Sequence, residues 1–111
     1  MILGQIEVGS ALIPGGGGTV YLPLLVRRAR ALKIIAGGEE YDVDTAERYG
    51  WINLAIPDLE SDDFVARFAH RIASCEKKAL TEAKRLVNRS SILLDDAHLV
   101  AAFVFSIASL F

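Results

Sequence analysis

The chain has little of what would announce its chemistry from composition alone. One cysteine in 111 residues, Cys75, rules out an intrachain disulfide and fits a reducing cytoplasm. No block of Lys and Arg is dense enough to grip a nucleic-acid backbone; the longest, Arg27-Arg28-Ala29-Arg30, is short, and net charge is −2. The opening Met1-Ile2-Leu3-Gly4 has neither the basic flank nor the apolar run of a secretory leader. The apolar stretch Ala97 to Phe111 is shorter than the ~20 residues that cross a bilayer, so it reads as a helix packed in protein. There is no internal repeat and no linker. No Lys follows the glycines as a P-loop requires, and Val20 stands where a dinucleotide fingerprint needs its last glycine.

What the chain does have is apolar surface. Of its residues 52% are hydrophobic and the mean hydropathy is +0.35, high for one small domain. A chain of this length buries only about two-thirds of its unfolded surface. The excess predicts apolar faces that meet something beyond these residues.

The other asset is one stretch, from Gly4 to Thr19. It places a single carboxylate, Glu7, on a short apolar segment, then Pro14, four glycines (Gly15 to Gly18) and Thr19. Glycine adopts positive φ freely and has no Cβ, so such a run lets backbone approach another group closely. Backbone N–H groups there, and at the helix start that follows, are free to hold an anion, a carbonyl or a water. An acid just before a donor-rich loop is half of an acid/base site. A plain tight turn beside a solvated glutamate is the structural alternative for the same residues.

The rest of the chain reads as mainly helix with one or two short strands. Glu7 to Ile13 is a short strand or an extended turn. A helix runs from Thr19 to about Val26, with Pro23 in its first turns. A second spans about Arg28 to Ala36 and stops at Gly37-Gly38. Asp44-Thr45-Ala46-Glu47 has capping-box spacing, with Asp44 as the cap of a helix ending at Gly50. Trp51 to Ile56 reads as a strand closed by Pro57. A helix from Ser61-Asp62-Asp63 carries an apolar stripe of Phe64, Val65, Phe68, Ala69 and Ile72. Another, about Lys77 to Asn88, buries Ala79, Leu80, Ala83, Leu86 and Val87. The last, from about Leu93, is apolar nearly all round.

Four stretches, in order, resemble the crotonase (enoyl-CoA hydratase/isomerase) superfamily. Gln5-Ile6-Glu7 followed by Pro14-Gly15-Gly16-Gly17-Gly18-Thr19 is similar to that family's second catalytic segment, although Ile6 replaces its usual proline. Arg28-Ala29-Arg30-Ala31-Leu32 is similar to the helix after the loop. Ala46 to Asn53 resembles the family's A-x-x-x-G-hydrophobic-V-N turn, and Ala79 to Lys84 its A-L-x-x-A-K helix. What is matched is the C-terminal part of a subunit only.

The resemblance implies the C-terminal portion of a ClpP/crotonase α/β fold lacking most of its β-spiral core. Residues 1–57 would end that core, and residues 58–111 would form a helical oligomerisation region. It implies an enoyl-CoA hydratase/isomerase-like protein acting on acyl-CoA thioesters through enolate chemistry, in a homotrimer or hexamer, in the cytoplasm. Catalytic roles would fall to Glu7, one of two carboxylates, and to Gly15, whose N–H helps hold the attacking water. No cofactor is implied, coenzyme A being part of the substrate, and no nucleic acid or membrane partner. The partner glutamate and the two oxyanion-hole N–H groups have no counterpart here. Such a chain is expected to be N-terminally incomplete and inactive alone. A non-catalytic helical interaction module derived from a crotonase is the alternative.

Other constellations weigh less. Glu39, Glu40, Asp42 and Asp44 lack EF-hand spacing and fit a solvated turn. Asp95 and His98 sit three apart on a helix with no third ligand. Cys75 and His70, five apart, face away from each other. Lys77, Lys78, Lys84 and Arg85 make a solvated helix face or touch coenzyme A phosphates.

Overall fold

The computed structural model describes residues 1–91, which fall into two compact units, Met1–Ala55 and the residues from Ile56 onward. The final helix predicted from Leu93, with Asp95 and His98, lies outside the described residues.

In the first unit, strand β1 (Ile2–Gly4) leads into a short 3₁₀ helix (Glu7–Ser10), then come helices α1 (Gly18–Val26) and α2 (Arg28–Gly37), strand β2 (Glu40–Asp42) and helix α3 (Val43–Tyr49). β1 and β2 pair antiparallel, with Ile2 opposite Asp42, Leu3 opposite Tyr41 and Gly4 opposite Glu40. The core lies between α1, α2 and β2. Leu22 and Val26 are four apart on α1, Ala31 and Ile34 three apart on α2, so each pair shares a helix face. Tyr41 closes the cluster from the strand, and Ile35, Tyr49 and Trp51 pack around it. The Tyr41 ring meets Tyr49 at 6.1 Å and the edge of Trp51 at 6.2 Å, and the Arg30 guanidinium sits 4.6 Å over Tyr49.

The mainly helical architecture with two short strands agrees with the expectation of helices and one or two short strands, although the strands lie elsewhere. Several local assignments differ. Residues 7–13 form neither strand nor extended turn: Gly9 N–H donates to the Ile6 carbonyl (3.1 Å) and Ala11 N–H to the Val8 carbonyl (3.0 Å). Ala11 then turns left-handed at φ 59°, which brings Leu12 N–H onto the Glu7 carbonyl at 2.9 Å. Local bonds thus satisfy this segment's backbone, and no ladder partner is needed.

The strand predicted over Trp51 to Ile56 is a series of bends. Its place in the sheet is taken by Glu40–Asp42, a stretch whose three residues hold two acids and carry little strand signal. What holds 51–55 instead is α3: Trp51 N–H donates to the Ala46 carbonyl (2.9 Å) and Ala55 N–H to Glu47 Oε2 (2.6 Å). Glu47 therefore anchors the following loop and not a capping box.

The α3 cap is Asp42, two residues earlier than Asp44. Asp42 keeps extended dihedrals (φ −73°, ψ 165°) and its carboxylate accepts Thr45 N–H at 2.8 Å, while Asp44 already lies in the first turn. That backbone bond, then the Thr45 hydroxyl and the nearby Arg48 charge, hold the Asp42 carboxyl below the ordinary carboxylate value. Because the folded-state value is depressed, its stabilising contribution is full above about pH 4 and is lost as pH falls through the folded value. Asp42→Asn keeps a capping oxygen but does not titrate. Thermal midpoints of the two proteins should therefore differ at neutral pH and converge in acid.

α3 ends at Gly50, whose φ is 81°. An added Cβ there would lie 3.1 Å from the Leu25 carbonyl oxygen, so both conformation and space require glycine.

Arg27 does the opposite. It joins α1 to α2 at φ 70°, ψ 158°, a region populated almost only by glycine. Holding a side chain there costs on the order of 1–3 kcal/mol, more than the ~0.5–1 kcal/mol of backbone entropy that glycine adds. Arg27→Gly should raise the chemical-denaturation stability by about 1 kcal/mol. A loss of stability in that variant would mean that the guanidinium makes compensating contacts.

In the second unit α4 spans Asp58–Ala73 and α5 spans Lys77–Ser90. α4 starts three residues before the predicted Ser61, since Pro57 supplies the break and Asp58 and Glu60 favour the positive first turn. α5 is capped by Glu76, whose carboxylate accepts Ala79 N–H at 2.7 Å. The apolar faces predicted to be buried are open. Val65, Phe68 and Ile72 of α4 and Leu86 and Val87 of α5 are exposed, and neither helix buries a residue. The periodicity is present but no described residue covers it. The Phe64 and Phe68 rings stack on each other at 6.2 Å.

Candidate active site

The site begins where β1 ends. Ile6 turns the chain (φ −94°, ψ −2°) and Glu7 opens the 3₁₀ helix, its side chain half-buried. One carboxylate oxygen, Oε2, is shut off from solvent and has no hydrogen-bond partner among the described residues. Folded proteins pair almost every buried polar atom, because leaving one unpaired costs desolvation with no return.

The loop follows. Pro14 and Gly17 are buried, whereas Gly15 and Gly16 are exposed. Gly16 and Gly17 take positive φ, 62° and 87°, which lets the chain reverse and enter α1 with Gly17 as its cap. The Gly15 carbonyl accepts Gly18 N–H (3.2 Å), and the Gly17 carbonyl accepts Val20 N–H (3.0 Å) and Tyr21 N–H (2.8 Å). The N–H groups of Gly15 and Gly16 donate to no acceptor among the described residues. These are the loose donors that a glycine run before a helix leads one to expect.

Gly18 is clamped. A Cβ on it would fall 2.7 Å from Gln5 Oε1 and 3.3 Å from Pro14 Cβ. Gln5, two residues before the acid, therefore lies against the loop itself. With Gly16 to Gly18, Tyr21, Leu25 and Trp51 it lines a shallow hollow of about 150 Å³. Neither Glu7 nor Gly15 lines that hollow, and no hydrogen bond joins the two. Both sit on one unit, Glu7 in the 3₁₀ helix and Gly15 at the start of the glycine turn. Gln5 and Trp51 each lie inside a motif that carries the resemblance without a role of their own there, and only the fold brings the Gln5 carboxamide to Gly18.

Comparison with known proteins decides what this arrangement belongs to. No family model matches the chain. A probable enoyl-CoA hydratase of Rhizobium meliloti is 36% identical over 88 residues, 78% of this chain and 34% of that protein. The short-chain-enoyl-CoA hydratase of Clostridium acetobutylicum is 33% identical over 86 residues, again 78% of this chain and 33% of its own length. A crystal structure from Streptomyces avermitilis, assigned as an enoyl-CoA hydratase, superposes with a TM-score of 0.84 at 42% identity, covering 93% of this chain and 37% of that one. The chain belongs to the crotonase superfamily.

This crotonase chain spans about a third of the length of the curated relatives it matches. Among the described residues the remaining candidates do not assemble a second site. Among the described residues no group of three or more His, Cys, Asp or Glu could hold a metal ion. No described helix is long and apolar enough to cross a membrane. Cys75 lies between α4 and α5 and its thiol donates to the Arg71 carbonyl at 3.3 Å, not to His70. His70 instead lines an open groove with Phe64, Phe68 and the two arginines beside it. Arg85 pairs with Glu82 at 3.0 Å on the solvated face of α5, and Lys77 and Lys78 edge a shallow hollow at that helix's start.

Proposed function

We propose that this crotonase chain contributes the second catalytic carboxylate and the water-holding loop of an enoyl-CoA hydratase. Glu7 and the N–H of Gly15 are the two groups concerned. In hydration of a 2-enoyl thioester, water adds through oxygen to C3 while a proton is delivered to C2. Removing the proton from the water and protonating C2 are acid/base tasks that a pair of carboxylates can share. On this reading Glu7 is one of the pair and Gly15 N–H orients the water between them.

The partner carboxylate and the donors for the thioester oxyanion come from the two-thirds of the relatives' length that this chain does not span. Oxyanion donors are often the largest catalytic term, each worth about 10²–10³-fold. The chain by itself should therefore be inactive. On this reading residues 1–57 end the catalytic core and residues 58–111 serve oligomerisation in a cytoplasmic trimer or hexamer. Coenzyme A enters as part of the substrate, and the chemistry calls for no further cofactor. Double-bond isomerisation is the other reaction open to the same carboxylate pair.

The observation that carries the reading is the shielded, unpartnered oxygen of Glu7 on the segment before the glycine loop. The hydratase names of the relatives support it. A second reading, a non-catalytic helical module derived from a crotonase, is favoured by the open apolar faces of α4 and α5.

The test is hydration of crotonyl-CoA, followed by loss of enoyl-thioester absorbance. The isolated chain should give none. The same chain, fused in place of the matching third of the Clostridium acetobutylicum hydratase, should give turnover. A folded fusion without activity would sink the catalytic reading and leave the module.

A further inference from the structure

We draw no further inference here: the strongest candidate, the open apolar groove along α4 at Phe64 and Phe68, rimmed by Arg67, His70 and Arg71, carries nothing because nothing in the structure shows what covers it.

Discussion

Glu7→Gln in the fused hydratase should lower kcat for crotonyl-CoA hydration by about 10²–10⁴-fold, the usual worth of one positioned acid/base group. Glutamine has nearly the same shape and keeps an oxygen to hydrogen-bond the water, but it neither takes nor gives a proton at neutral pH. On the proposed reading the thioester-binding donors come from the rest of the fused hydratase, so KM should change little. A fall in kcat at constant KM is the mark of an interaction made in the transition state. A fused variant with the full rate would remove Glu7 from the chemistry. Glutamine has nearly the shape of glutamate, so Glu7→Gln should leave the fold intact. A loss of rate with no loss of melting temperature would separate the two effects.

Ile34→Ala carries the largest expected stability effect. Ile34 is fully buried at the centre of the first unit, against residues of α1 and β2. Truncating a buried isoleucine to alanine costs roughly 2–5 kcal/mol, because packing is lost and the cavity closes only in part. The 55 described residues of this unit correspond to only about 3–8 kcal/mol of stability. The variant should therefore show a much lowered or absent cooperative transition in thermal unfolding followed by circular dichroism. Leu32→Ala, two positions away on the same helix but 50% exposed, is the control and should melt close to the parent. Equal loss in both would mean that α2 is not seated on this core. The two variants also separate site from scaffold, since Ile34→Ala in the fused hydratase should lower the folded fraction while the folded molecules keep their kcat.

Much of the helical layout was legible because each helix carries its own stop and start chemistry. Gly37-Gly38 and Gly50 end α2 and α3 where glycine must, with Gly38 at φ 59° and Gly50 at φ 81°. The acids at the start of α4 announce it to within three residues. Strands were not legible. Three residues of β2 gain their bonds from β1, nearly 40 positions away in the chain, and nothing local in Glu40-Tyr41-Asp42 points to that partner. Trp51 to Ile56 has the composition of a strand and lacks a ladder partner among the described residues, so Glu47 and the end of α3 satisfy its backbone instead. Composition cannot distinguish these outcomes, because pairing is a property of two segments and not of one.

The positions of the described helices, the surplus of apolar residues and the crotonase-like carboxylate–proline–glycine motif can all be read along the chain. Those properties are local or compositional: capping residues, 3.6-residue periodicity and a motif fix them without knowledge of what lies across space. That Asp42 and not Asp44 caps α3, that Gln5 rests against Gly18, and that one oxygen of Glu7 is shut away from water without a partner among the described residues emerges only in the folded chain. Each of these depends on which segments pack together, and burial is set by neighbours that the sequence order does not place side by side.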